Sequence, residues 1–435
     1  MDYEMNANLN KKFSIKMVEK KLPFTKEKIL EIIRKYPTPF HIYDETAIRE
    51  NAGEFLKAFS VLEGFRQFFA VKATPNPYIL KIMKQEGFGL DCSSYTELEM
   101  AERMGITGEA IMFSSNDTPA EDFVKARELG AIINLDDISH IDFLEKAAGI
   151  PDLICFRYNP GPARRGNELI GKPEEAKYGL TREQMFEAYK ITKKKGAKRF
   201  GMHTMIVSNE LNGDYFIETA RMMFELAVDV YNKTGIKVEF INLGGGIGIP
   251  YKPEQNSVSY KRIANGVKKA YDEIIVKNNL HPARIFTECG RVITGPYGYL
   301  VTKVNHIKHI YKDYVGTDAS MVNLMRPGMY GAYHHITVLG KENAAKNHVY
   351  DVTGSLCENN DKFAINRNLP EIAPGDVLVI HDTGAHGFAM GFNYNGRLRS
   401  AELLLRADGS VLKIRRAEKV EDYFATLDFE GAGKF

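Results

Sequence analysis

An excess of charge of either sign is missing from this chain of 435 residues, in which 58 basic side chains stand against 56 acidic ones for a net charge of +2. That balance removes the electrostatic case for binding nucleic acid or an anionic membrane surface. The short lysine runs, Lys11-Lys12 and Lys193 to Lys195, read as solvated tails or helix ends. No apolar run is long enough to span a bilayer. The opening Met-Asp-Tyr-Glu-Met-Asn lacks the basic and then apolar order of a signal peptide, so a cytoplasmic protein is expected. Cysteine is scarce: Cys92, Cys155, Cys289 and Cys357 form no Cys-x-x-Cys pair and are too few to staple a chain of this length, so reduced thiols are expected. No Gly-x-Gly-x-x-Gly follows the first strand, which counts against a dinucleotide-binding fold.

What is present is ample apolar material, 44% of residues, for a large core. Length alone suggests two or three domains, fewer if one is a barrel. A polar lead-in over residues 1–25 precedes a helix over 25–35, stopped by Tyr36-Pro37-Thr38-Pro39. A short strand follows at 41–43. Asp44 then caps a helix with the stripe Ile48, Ala52, Phe55, Leu56 and Phe59. Strand-like segments recur at 68–71, 89–92, 111–114, 132–135, 153–158, 200–205, 240–243 and 285–288. Capping boxes are expected at Thr118 to Glu121, with Pro119 at the first helical position, and at Thr181 to Gln184. Glycines 105, 130, 149, 196 and 235 sit where helices should end. Short buried strands separated by helices over roughly 250 residues fit a parallel (β/α)8 barrel better than an open doubly wound sheet. The expected domains are this barrel over 45–299 and a mostly β domain over 300–435, joined by strand material from 1–44. The second domain should contain a hairpin turning at Asp408-Gly409.

Barrel enzymes place their working groups at the carboxyl ends of strands. Lys72 closes the apolar stretch Phe-Phe-Ala-Val, where burial would lower its pKa and free the amine for carbonyl chemistry; the alternative is a strand-closing lysine reaching into solvent. Gly244-Gly245-Gly246 follows the seventh strand and serves either as a phosphate cradle or as a plain tight turn. After the eighth strand, Glu288 could accept a hydrogen bond from a protonated ring nitrogen, and Arg291 offers a fork for a carboxylate or phosphate; the two could instead pair with each other. An amine, a phosphate cradle and a carboxylate at one barrel mouth are what pyridoxal phosphate (PLP) requires. Further polar clusters lie at 325–330, 354–361, 384–387 and 393–397.

Segments 70–74, Asn159-Pro160-Gly161, Lys177-Tyr178-Gly179, Gly244 to Gly246, Glu288 to Arg291, Arg326 to Tyr330, Cys357 to Asp361 and Asn393 to Arg397 resemble, in order and spacing, the diaminopimelate decarboxylases among the alanine-racemase-like, fold-type III PLP enzymes. The match runs from about residue 37 to 425. The resemblance implies a homodimer acting on a small amino acid, with PLP on Lys72, Glu288 at its ring nitrogen, and Gly245, Gly246 and Ser208 at its phosphate. Met205 would lie against the ring and Tyr394 near the cofactor and substrate. Arg291, Arg326 and Tyr330 would hold the distal carboxylate of the substrate, while Cys357, as proton donor, and Glu358, at the distal amine, would reach in from the partner subunit. No metal is implied. The implied reaction is decarboxylation of meso-diaminopimelate to L-lysine. Its rivals are a sibling decarboxylase of another two-headed or basic amino acid, such as a lanthionine-like one, and a non-catalytic homologue.

The pattern is broken in four places. Met205 stands where relatives carry the imidazole that stacks on the ring, and a thioether there is worth roughly 0.3–1.5 kcal/mol, similar to an aromatic stack. Val207 replaces a glycine, Cys289 the usual proline and His386 a common tyrosine.

Overall fold

The computed structural model describes residues 20–167 and 171–435. Residues 1–19 of the lead-in, with the Lys11-Lys12 run, lie outside the described residues. The first elements among the described residues are a helix, Lys26–Lys35, capped by the Thr25 side chain, and a strand β1 (Phe40–Asp44). Eight strands then close into a parallel barrel in sequence order: β2 (Arg66–Ala70), β3 (Gly89–Cys92), β4 (Ile111–Ser114), β5 (Ile132–Leu135), β6 (Leu153–Tyr158), β7 (Arg199–Thr204), β8 (Phe240–Asn242) and β9 (Arg284–Thr287). β9 pairs with β2 and completes the ring.

The alternation of each strand divides its side chains between two cores. Phe68, Met112, Ile132, Leu153, Cys155, Phe240 and Phe286 form one apolar cluster inside the barrel, with the Phe240 and Phe286 rings stacked at 4.5 Å. Gly201 makes room for this filling, because a Cβ there would lie 2.0 Å from the Phe240 ring. The opposite faces pack on the surrounding helices, for example Phe69 and Leu90 against Phe55, Ile79 and Leu98.

Helix starts follow local chemistry. Asp44 accepts the Ala47 N–H at 3.1 Å, and the Thr181–Gln184 box is reciprocal, with N–H to side-chain distances of 3.3 and 2.9 Å. The box expected at Thr118 does not form. Pro119 is held extended (φ −66°, ψ 159°) and itself precedes the helix Ala120–Glu128, so Thr118 sits one residue too early to reach the free N–H groups. Gly235 ends the long helix Gly213–Thr234 in the left-handed conformation at φ +66°. No helix among the described residues is long and apolar enough to cross a membrane.

A nine-stranded mixed sheet forms the second layer. Its strands are β1, β10 (Gly298–His309), β11 (Asp313–Thr317), β12 (Ile336–Val338), β13 (His348–Thr353), β14 (Lys362–Leu369), β15 (Val377–Ile380), β16 (Ala401–Leu405) and β17 (Val411–Arg415). β1 runs antiparallel to β10 and parallel to β16, so the chain enters this sheet before it builds the barrel. β16 and β17 are the hairpin that turns at Asp408-Gly409.

The loop after β2 is held from both sides. Thr74 donates to the Gly384 carbonyl at 2.6 Å, and the His386 N–H donates to the Ala73 carbonyl at 2.8 Å. Lys72 therefore sits on a segment fixed to the second layer. It does not end a strand as expected: β2 stops at Ala70, and Val71–Ala73 is a single 3-10 turn that swings the lysine over the barrel mouth.

Candidate active site

A cavity of about 610 Å³ opens at the carboxyl ends of the barrel strands, between the barrel and the loops of the sheet. Strand direction alone gathers polar groups there, because each strand delivers its last inward residue to the same rim. Lys72 stands recessed in this cavity, its side chain open only to the cavity space, and its Nζ donates to Asp91 Oδ2 at 3.1 Å and to Ser93 Oγ at 3.3 Å. Burial pushes the amine pKa down, as the sequence suggests, but the Asp91, Glu288 and Glu97 carboxylates outweigh it. The pKa is raised rather than lowered. Asp91 itself is pushed up to about 7 by burial, against the pull of Lys72.

Glu288 does not pair with Arg291. Its Oε2 lies 2.9 Å from His203 Nε2, and its Oε1 accepts the Asn242 amide at 2.8 Å. Burial would raise its pKa, yet the His203 ring, the hydrogen bond to it and the nearby Lys72 prevail and hold it below the ordinary value. The carboxylate is thus kept ionised in a buried place.

Gly244 to Gly246 form a turn that only glycine permits. Gly244 and Gly246 have φ of +69° and +97°, and a Cβ on them would meet the Thr204 and Val207 carbonyl oxygens at 2.3 and 2.4 Å. Gly246 and Ser208 line the cavity; Gly245 sits just behind, its N–H donating to Met205 Sδ at 3.2 Å. Met205 also lines the cavity, so its sulfur fastens the glycine turn besides presenting its side chain to the site. The Cys289 substitution is likewise put to use: its N–H, which a proline would lack, donates to Gln67 Oε1 at 3.3 Å.

Arg291, Arg326, Tyr330 and His386 form the opposite wall. Neither arginine is ion-paired with a carboxylate among the described residues. His386 is held at φ +56°, and burial together with Arg291, Arg326 and Lys72 pushes its pKa well down, so it is neutral. Cys357, Glu358 and Tyr394 are not part of this wall. Cys357 is exposed, Tyr394 is 46% exposed, and the two neighbourhoods are tied by the Cys357 N–H donating to Asn395 Oδ1 at 2.7 Å.

Several residues of the site were given no role by the sequence: Asp91, Arg157 and His203 on the cavity wall, and Asn242 buried behind Glu288. Arg157 stacks at 3.8 Å on the Tyr178 ring and reaches Asn116 Oδ1 at 3.2 Å. Their shared signal is a polar side chain inside an otherwise apolar strand, as in Gly-Leu-Asp-Cys or Leu-Ile-Cys-Phe-Arg-Tyr.

The residues fit PLP. An amine, an ionised buried carboxylate and a side-chain-free turn share one cavity, and Asp91 Oδ1, Arg157 Nε and His203 Nδ1 are buried around it without hydrogen-bond partners. A parallel barrel with this donor set at its mouth defines the PLP-dependent decarboxylases of fold type III. The chain belongs to them: the family model described as pyridoxal-dependent decarboxylase, pyridoxal binding domain, matches residues 45–295. The protein is a PLP-dependent carboxy-lyase. It is 42% identical to Protein TabA of Pseudomonas amygdali pv. tabaci over 93% of this chain and 94% of that one. It is 35% identical to the diaminopimelate decarboxylase of Methanothermobacter thermautotrophicus, over 90% and 92%. The crystal structure of the M. jannaschii diaminopimelate decarboxylase in complex with L-lysine superposes with a TM-score of 0.85 at 31% identity, covering 92% of this chain and 94% of that one.

Proposed function

We propose that the protein removes carbon dioxide from meso-diaminopimelate and yields L-lysine. The observation that carries this is the pair Arg291 and Arg326, two guanidinium groups without a carboxylate partner among the described residues, facing the cavity that holds Lys72. Such a wall suits an amino acid that ends in a second carboxylate and repels one that ends only in an ammonium. The similarity to proteins named diaminopimelate decarboxylase supports the same substrate.

In this reading Lys72 carries PLP, Gly245, Gly246 and Ser208 hold its phosphate, Met205 lies against its ring, and Glu288 keeps a proton on its pyridine nitrogen. The bound coenzyme supplies an electron sink for the pair left on Cα as carbon dioxide departs. The chain's own groups do the rest. Arg291, Arg326 and Tyr330 fix the distal carboxylate and so set which Cα carboxylate faces away from polar contacts. Glu358 meets the distal amine, Tyr394 closes the site beside the cofactor, and the Cys357 thiol delivers a proton to Cα. Cys357 and Glu358 come from the partner subunit of a homodimer, a role consistent with both being exposed and outside this chain's own cavity wall.

The test is direct. Purified protein with PLP and meso-diaminopimelate should release lysine and carbon dioxide in equal amounts, and L-lysine or L-ornithine should release none. Turnover of a basic amino acid in preference would refute the assignment. A second reading, another two-headed amino acid such as a lanthionine-like thioether, rests on Met205 and His386, two breaks in the family pattern that both line the cavity. Competition between the two substrates decides it.

A further inference from the structure

Behind the arginine wall lies a side chain with no part in the reading above. Tyr251 follows the glycine turn, is 6% exposed and does not line the cavity, yet its phenol oxygen accepts from both arginines. Arg291 Nη1 lies 2.6 Å away and Arg326 Nη1 2.8 Å. The Tyr251 ring also lies beneath both guanidinium groups, 5.9 and 4.8 Å from centroid to carbon. The two arginines come from different layers, Arg291 from the helix after β9 and Arg326 from the helix Arg326–Tyr330 before β12, so nothing in either layer alone sets their spacing.

A second acceptor backs the first. Arg326 Nη1 is also 3.0 Å from His334 Nε2, while His334 Nδ1 is 2.8 Å from the His381 carbonyl oxygen. A carbonyl can only accept, so Nδ1 carries the proton and Nε2 is the free acceptor. His334 is buried and its pKa is pushed well down by burial and then by Arg326, in keeping with a neutral ring. Asp382, an acid whose charge is felt by Arg326, is engaged by Lys20.

Neutral acceptors here have a consequence that acidic ones would not. Two like charges drawn to one point repel, and a carboxylate would relieve the repulsion by cancelling the charge. A phenol and an imidazole orient the guanidinium groups and leave their combined charge for an anion entering from the cavity. We propose that Tyr251, backed by His334, is a positioning residue that joins Arg291 and Arg326 into one carboxylate receptor and thereby sets selectivity for a substrate with a distal carboxylate. The inference rests on the reading of the two arginines given above.

The test uses the full-length, PLP-loaded protein. Tyr251→Phe should raise KM for meso-diaminopimelate about tenfold with kcat within about twofold, as expected for loss of a hydrogen bond to a charged group used equally in ground and transition states. By calorimetry the variant should bind heptanedioate, a linear dicarboxylate, correspondingly more weakly. Binding of 1,5-diaminopentane, which has the amines and no carboxylate, should not change. An unchanged KM, a fall in kcat alone, or equal weakening toward 1,5-diaminopentane overturns the proposal. If Tyr251→Phe does not fold, His334→Leu carries the same expectation, because it strips an acceptor from the same Arg326 nitrogen. Arg326→Met separates the two levels: if it leaves heptanedioate binding intact, the arginine reading itself fails, whereas if it weakens binding and Tyr251→Phe does not, only the positioning role fails.

Discussion

Asp91 is the acid that faces the amine at the centre of the site. Its Oδ2 is 3.1 Å from Lys72 Nζ, its other oxygen is buried without a hydrogen-bond partner, and of the nearby carboxylates it does most to raise the lysine pKa against burial. An amine must lose its proton before it can attack a carbonyl, so a partner that favours the ammonium form slows loading at neutral pH. Removing the anion takes away a raising influence and leaves the lowering one, burial, less opposed. Asp91→Asn should therefore move the inflection in the pH dependence of PLP uptake by cofactor-free protein to lower pH, followed by absorbance. An inflection that stays in place or moves upward would show that Asp91 does not govern the amine. Lys72 itself was legible in the sequence as a lone amine after an apolar run. Its pKa direction was not, because the deciding carboxylates come from β3, from the end of β9 and from Glu97, distant in sequence and adjacent only in the closed barrel.

At the scale of elements, the turn after β8 is the most constrained backbone in the site. Gly244 combines φ +69° with a Cβ direction 2.3 Å from the Thr204 carbonyl. Gly244→Ala should cost about 1–3 kcal/mol in unfolding free energy and weaken PLP binding by an order of magnitude or more, read by denaturant melts and PLP titration. Gly53 supplies the contrast. It lies inside the helix Glu45–Phe59 with nothing within 4 Å of its Cβ direction, so Gly53→Ala should stabilise by about 0.5–1 kcal/mol and leave PLP binding alone. Equal effects at the two positions would deny the turn its special role. Strand positions were readable because short apolar runs between helix signals leave few alternatives. The Thr118 box failed because a motif of residue types carries no information on which residue the following proline leaves outside the helix. Met205 was readable as a substitution, but its bond to the Gly245 N–H needed the β7 and β8 ends side by side.

At the scale of the molecule, three exposed segments of the sheet layer meet on one surface. The Arg326–Tyr330 helix packs on the Cys357 loop so closely that a Cβ on Gly328 would lie 2.4 Å from the Asn360 carbonyl, and Asp361 accepts the Met321 and Leu356 N–H groups at 2.7 and 2.9 Å. Met329, Tyr330 and Tyr394 are 58%, 53% and 46% exposed there, a concentration of apolar and aromatic surface suited to a second copy of the chain. If that copy completes the site with Cys357, then Lys72→Ala and Cys357→Ala, each inactive alone, should regain activity when mixed under subunit exchange. The ceiling is roughly a quarter of wild type, from random pairing and one intact site per mixed dimer. No recovery would place Cys357 and Lys72 in the same chain's site or remove Cys357 from the chemistry.

Sequence by itself determined the barrel, its strand count and the donor types at its mouth, because hydrophobic period, turn residues and one amine in an apolar run are local properties that any fold of this chain must accommodate. Only the tertiary structure decided that Glu288 is held by His203 and Asn242 rather than by Arg291, that Asp91 faces Lys72, and that one phenol joins two arginines from separate layers. Each of these is a contact between residues far apart along the chain, and its strength depends on distance and burial, which a linear order of residues does not contain.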